Sequence, residues 1–304
     1  MIDLDIIIPV YNSKKTINGT LYSILYQNYK NIHVYLINDC DNNNYSDEVE
    51  FFSNFFDIKE YRMKKNGGPG AARQYGLQIS HGKYVMFIDS DDYFIYPNTF
   101  KMLVDCIEQG YDMVISRLIL QWGKELVPDD IIYGTLQGKI YRKDFIVNNH
   151  VIFNPARLLH EDGMFNQVFL KHGAKNIFVD IPTYVRIDNG DSVTHHMSYD
   201  FQVEIEIILQ MLWVLELSIK EKWDESELES TEVFLLNYMT QHTRTIPNRY
   251  LLDDARKKIQ NYRRYVKDNR FLVLNFIDGL PSLDMKNKEY IFKTFIEGFN
   301  ELYK

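Results

Sequence analysis

The residues best placed to do chemistry are Asp89-Ser90-Asp91-Asp92, which follow the apolar run Tyr84-Val85-Met86-Phe87-Ile88 without a spacer. Three carboxylates within four positions supply hard oxygen ligands, the kind that suit Mg²⁺ or Mn²⁺ and that bridge such ions to substrate phosphates. Acids at i and i+2 of an extended chain point to the same side, so Asp89 and Asp91 can act together. The bland alternative is a strand that stops in a solvated acidic turn. Asp39 repeats the arrangement at the end of His33-Val34-Tyr35-Leu36-Ile37-Asn38. Glu161-Asp162 opens a segment with Met164, Phe165, Val168 and Phe169 at helical spacing. Such a pair serves either as a general base with its neighbour or as first-turn acids that complement a helix dipole.

Alternating strands and helices position these acids. Leu4–Val10, His33–Asp39, Ile58–Met63 and Tyr84–Ile88 read as strands, with helices expected over 14–27, 47–56 and 71–80. Short β and α segments in alternation predict a doubly wound α/β fold with a mainly parallel sheet, whose ligands bind at the carboxyl ends of the strands. A helix over 99–109 and a strand over 112–116 follow. From 121 to 154 the reading is short strands and loops, and 176–181 and 183–187 read as two short strands around Pro182. Beyond about Tyr199 the apolar residues Phe201, Ile205, Ile208, Leu212 and Leu215 keep helical spacing. The chain is therefore expected to divide into a catalytic α/β domain over 1–199 and an α-helical region over 200–304, for acceptor binding, packing or oligomerisation.

In order, the chain carries Ile8-Pro9-Val10-Tyr11-Asn12, then Asn66-x-Gly68-x-x-x-Ala72-Arg73-x-x-Gly76 and Gly82-x-Tyr84-x-x-Phe87-x-Asp89-Ser90-Asp91-Asp92. His160-Glu161-Asp162 and Tyr184-x-Arg186 with Ser192-Val193-Thr194-His195 come after them. This series resembles the family 2 glycosyltransferases of GT-A fold, over roughly residues 3–196, with Gln74 and Ser80 departing from the usual Asn and Ala. The resemblance implies an inverting, metal-dependent transfer of a sugar from a UDP-sugar to an acceptor hydroxyl, giving a β-linkage. It implies nucleotide-sugar contacts at Pro9, Tyr11, Asn12, Asp39, Asn66, Gly68, Arg73, Asp89, Ser90 and Asp91. Asp39 would take the uracil N3–H, Tyr11 would stack on the base, and Arg73 would lie near the nucleotide or pair with an acid of the 89–92 cluster. Asp162 would be the catalytic base and Glu161 an acceptor contact. Asp91 would be the first metal ligand, for manganese or magnesium, with Asp89 and His195 beside it and His196 as an alternative to His195. Asp92 would be either a further ligand or a cap of the next turn.

Composition narrows the partners. With 34 Lys and Arg against 42 Asp and Glu the net charge is −8, which argues against broad nucleic-acid binding. Two cysteines without a partner motif point to a reducing compartment, and the start of the chain lacks the basic and apolar regions of a leader. The expectation is a cytoplasmic protein. The basic run Arg256-Lys257-Lys258, with Arg263, Arg264 and Lys267, is a solvated helix face or a surface for an anionic acceptor or a membrane. The acceptor class stays open between a glycan, a lipid-linked chain, a protein and other hydroxyl carriers, and the C-terminal helices leave room for a homo-oligomer. Two other classes compete. A nucleotidyltransferase would need a basic Gly-rich first loop, where this chain has Pro9-Val10-Tyr11-Asn12; a non-catalytic binding module would have lost an acid from 89–92 or Asp162, and none is lost.

Overall fold

The computed structural model describes residues 4–129, 134–154 and 160–188, together with residues 213, 214 and 217. Its elements are β1 (Leu4–Val10), α1 (Ile17–Leu25), β2 (Ile32–Asn38), α2 (Ser46–Phe52), β3 (Asp57–Arg62), α3 (Gly68–Ile79), β4 (Tyr84–Phe87) and β5 (Tyr93–Phe94). After these come α4 (Thr99–Ile107), β6 (Met113–Trp122), β7 (Glu125–Asp129), β8 (Lys139–Arg142), α5 (Lys143–Asn148), α6 (Glu161–Lys171) and β9 (Asn176–Asp188). The fold is the α/β, Rossmann-like GT-A type, with one sheet in the order β3-β2-β1-β4-β8-β6-β9-β5 and β7 paired to β6.

The first half of the sheet is parallel. β1 pairs with β2 from Leu4↔Ile32 to Val10↔Asn38 and with β4 from Leu4↔Tyr84 to Ile7↔Phe87, so β1 and β2 end together and β4 stops three residues before them. Their runs are apolar on both faces because both faces are covered. Ile6, Ile8 and Val10 meet Ile17, Leu21 and Ile24 of α1 in the main core. On the other face α3 approaches so closely that a Cβ on Gly76 would lie 2.5 Å from Ile7 Cγ2, which explains a glycine in a helix interior. The β1–β4 ladder stops where Ile88 N–H donates to the Ile7 carbonyl, at 3.1 Å. The next donor would be Pro9, which has no N–H, so the chain after Ile88 leaves the sheet and turns.

The second half departs from the expected pattern. β4 pairs antiparallel with β8, and β8 antiparallel with β6, so the sheet is mixed beyond its first half. Where short strands and loops were expected over 121–154, the chain forms the β6–β7 hairpin, β8 and the helix α5. The two strands expected around Pro182 are one strand, β9, parallel to β6. Register shifts opposite Ser116 and Arg117 absorb the proline, which a regular ladder would not accommodate.

Contacts group the chain into two compact units, residues 1–153 with 165–196 and residues 154–164 with 197–304. The expected boundary near Tyr199 and the C-terminal helices with their basic run lie outside the described residues, apart from Trp213, Val214 and Leu217, which are helical and buried.

Candidate functional site

The carboxyl ends of β2, β1 and β4 lie side by side, which sets Asp39 and Asp89 on either side of the Pro9–Val10 strand end. Asp39 is buried, and its two oxygens accept N–H bonds from Gly67 and Gly68, each at 2.7 Å. Gly68 opens α3 with a φ of +83°, and Pro69 stands in its first turn. Asp39 thus satisfies orphan donors of a neighbouring helix and places a negative charge at the positive end of its dipole. A carboxylate in this position holds the glycine loop against the strand end.

Arg73, one turn into α3 and buried, donates from Nη2 to Asp89 Oδ1 at 2.7 Å. Gln137 Nε2 donates to the other oxygen, Asp89 Oδ2. The salt bridge considered for Arg73 is therefore present, and Asp89 is cradled on both oxygens. Asp92 is the buried member of the cluster. It accepts from Tyr184 Oη and from the Ile187 N–H, both at 2.8 Å, and its carbonyl accepts from Thr20 Oγ1. Burial, then the charges of Asp89 and Asp91, raise its carboxyl well above the ordinary range. Through these bonds it ties the acidic turn to β9, a role other than the two expected of it. Asp91 is half-buried and lies between these two anchored neighbours.

The first turn is equally constrained. Asn12 and Cys40 follow β1 and β2 with φ of +58° and +60°, a region that non-glycine residues rarely adopt. Asn12 N–H donates to Asp41 Oδ2 at 2.6 Å, and Tyr45 Oη donates to the same oxygen. Burial alone would raise the Asp41 carboxyl; the hydrogen bonds from Tyr45, Asn43 and Asn12 outweigh it and lower it. Ser13 Oγ meets Ser90 Oγ at 2.6 Å, joining the first turn to the acidic one. Tyr11, in the same first turn, is 52% exposed.

The expected contacts Pro9, Tyr11, Asn12, Asp39, Gly68, Arg73, Asp89 and Ser90 are thus gathered at one end of the parallel strands. Asn66 precedes the glycine loop, and its Oδ1 is buried without a hydrogen-bond partner. Glu161 and Asp162 occupy the first turn of α6, in the second compact unit. There Gly163 N–H donates to Asp162 Oδ1 at 2.7 Å and Glu161 is buried. His195 and His196 lie outside the described residues. Ser13, Asp41, Tyr45 and Gln137 were not anticipated. Asp41 stands in an Asn/Asp-rich stretch that reads as an ordinary polar loop, and Gln137 in a stretch with no periodicity.

A hard cation fits this donor chemistry only in part through protein ligands. Among the described residues no group of three or more His, Cys, Asp or Glu side chains is gathered to hold one. Asp91, half-buried between Asp89 and Asp92, would hold such an ion as a single carboxylate, with the other ligands coming from a diphosphate and water, as is common for Mg²⁺.

Similar proteins agree with this geometry. Residues 5–125 match the sequence model of glycosyl transferase family 2. The poly(ribitol-phosphate) beta-N-acetylglucosaminyltransferase TarS of Staphylococcus aureus (strain MW2) is 30% identical over 185 residues, covering 54% of this chain and 32% of TarS. Glycosyltransferase GlyA of Streptococcus pneumoniae is 29% identical over 162 residues, covering 53% of this chain and 18% of GlyA. The chain spans about a third or less of the length of these relatives. The crystal structure of S. aureus TarS 1-349 in complex with UDP-GlcNAc superimposes with a TM-score of 0.66 at 20% identity, covering 98% of this chain and 89% of that one. GalNAc-T7 with UDP, GalNAc and Mn2+ gives 0.56 at 14% identity, covering 77% and 54%. The matched segment holds β1, Asp39, the glycine loop, Arg73 and the acidic turn, and over that segment the chain is similar to glycosyl transferase family 2.

Proposed function

We propose that this domain transfers a sugar, with inversion and formation of a β-glycosidic bond, from a UDP-sugar to an acceptor hydroxyl, assisted by Mg²⁺ or Mn²⁺ at Asp91. The observation that carries the reading is the pair of anchored acids, Asp39 and Asp89, on either side of one strand end, with Asp91 in the turn between the anchored Asp89 and Asp92. A bound nucleotide would lie at the strand ends beside the glycine loop, whose Gly67 and Gly68 N–H groups hold Asp39 in place. Tyr11 offers a ring face to the base, and Asp39 a carboxylate to its N3–H. A divalent ion would neutralise the charge that develops on the departing diphosphate. Asp162 is the proposed base, taking the acceptor proton as the hydroxyl oxygen attacks the anomeric carbon opposite the leaving group.

N-acetylglucosamine is the first sugar to try, since TarS is named as a beta-N-acetylglucosaminyltransferase and was crystallised with UDP-GlcNAc. The acceptor is proposed only by class, a hydroxyl on a cell-surface or other glycoconjugate. No helix among the described residues is long and apolar enough to cross a membrane; cytoplasmic placement, peripheral membrane contact and self-association remain part of the proposal. Incubation with a panel of nucleotide sugars and Mn²⁺, following nucleotide release, tests the reading. Metal-dependent release of UDP from one UDP-sugar is the expected result. Binding of UDP-sugars without turnover under any acceptor would favour a binding module, and pyrophosphate release from a nucleoside triphosphate would favour a nucleotidyltransferase.

A further inference from the structure

The stretch Thr135–Gly138 is built far more firmly than a four-residue connection needs. Lys139, 1% exposed, turns its Nζ back onto the Thr135 carbonyl at 2.5 Å, with the Gln137 carbonyl at 3.5 Å. Burying an ammonium is costly unless it is richly hydrogen-bonded. Asn166 Nδ2 donates to the same Thr135 carbonyl at 2.6 Å, and Tyr141 Oη in turn donates to Asn166 Oδ1 at 2.7 Å. At the far end Ser116 donates to the Gly138 carbonyl from both N–H and Oγ, at 2.9 and 2.8 Å. Gly138 has a φ of +68°, and a Cβ there would lie 2.5 Å from Leu118 Cδ2, so the backbone admits only glycine without strain. The side chain held in this frame is Gln137, 5% exposed, whose Nε2 donates to Asp89 Oδ2. Its Oε1 is buried with no hydrogen-bond partner, an uncommon and unfavourable state for an amide oxygen.

We propose that Gln137 is a positioning residue of the donor-sugar site: its amide fixes the Asp89 carboxylate opposite Arg73, so that Asp89 meets the hydroxyls of the transferred sugar. This rests on the UDP-sugar reading above and deepens it. Two N–H donors on separate oxygens restrain the Asp89 carboxylate from both sides. A carboxylate so held selects a hydroxyl pattern; a free one would adapt to many. Arg73 supplies the charge and Gln137 the orientation. The uridine and diphosphate rest on Asp39, the glycine loop and Asp91, none of which Gln137 is seen to touch.

Titration calorimetry of the full chain with UDP and with UDP-GlcNAc, in Mn²⁺, tests this. Gln137→Met keeps the length and removes both polar atoms; Gln137→Glu keeps the shape and sets a second carboxylate against Asp89. Both variants should bind UDP within about twofold of wild type while the affinity for UDP-GlcNAc falls about ten- to a hundredfold, the range of a hydrogen bond to a charged group. Retained UDP binding serves as the control for folding. Equal weakening of the two ligands would reduce Gln137 to a structural role and overturn the proposal, and so would unchanged binding of both. A wild-type chain that binds UDP-sugars other than UDP-GlcNAc is tested with the sugar it binds. A wild-type chain that binds no nucleotide would instead overturn the glycosyltransferase reading, and this proposal with it.

Discussion

Residues of one type in the acidic cluster have separate duties, set by what each touches. Asp89 is held by Arg73 and Gln137, Asp92 by Tyr184 and the Ile187 N–H, and Asp91 is the half-buried acid between them. Asp91→Ala is therefore expected to leave the fold intact and to remove Mn²⁺-dependent UDP binding and transfer, read by calorimetry with and without EDTA. Full activity of the variant after EDTA treatment would exclude the metal role. Asp162→Asn keeps the size of the side chain and removes its basicity. It should bind UDP as wild type does and transfer about 10²- to 10⁴-fold more slowly, the usual worth of a general base. Loss of UDP binding with turnover per bound donor retained would refute the assignment.

At the scale of elements, the site is a meeting of strand ends that the loops then lock. β9 reaches back to the turn after β4: Tyr184 Oη donates to Asp92 and accepts from the Asp89 N–H, at 2.8 and 3.2 Å. Burial, with the nearby Asp92 and Asp89 charges, raises the Tyr184 phenol well above its ordinary range, so it stays a donor at working pH. Tyr184→Phe removes one hydroxyl and leaves two buried groups short of a partner. It should destabilise the domain by about 1–3 kcal/mol in urea unfolding. It should also weaken metal-dependent UDP binding, because Asp91 stands on the loosened turn. A variant as stable as wild type, with unchanged UDP affinity, would show that β9 does not support the turn. The opposite edge of the same crevice is secured by Asp41, whose hydrogen bonds fix the strained backbone after β1.

Taken as a whole, the chain has Asp162, its proposed base, and the strand ends that carry Asp39 and Asp89 in different compact units, since 154–164 groups with 197–304. Truncation near Tyr199 removes most of the unit that contains Glu161 and Asp162. It should abolish transfer to an acceptor while sparing UDP binding more, a difference read by comparing transfer, donor hydrolysis and calorimetry on one preparation. Equal loss of all three would mean that the C-terminal region serves the fold alone. Reversal of charge at Arg263 and Arg264 should weaken acceptor use in a salt-sensitive way if the basic run holds an anionic acceptor, and should do nothing if it is a solvated face.

The sequence by itself determined the class of fold and singled out most of the residues that the structure gathers at the strand ends. Alternating apolar runs with acids at their ends, and a glycine loop before a helix, are local signals, and local signals survive in a linear reading because each depends on neighbours in the chain. Pro9, Asp39, Arg73 and the 89–92 cluster were legible for that reason. The tertiary structure decided what the neighbours in space do. It made Asp92 a buried tie to β9, turned Asp39 onto the N-terminus of α3, and joined β9 across Pro182 through its register with β6. It also brought Gln137 to Asp89 across 48 positions of chain. An amide in an aperiodic stretch has no pattern to announce it. Its partner is set by the antiparallel pairing of β8 between β4 and β6, a long-range contact that no periodicity encodes.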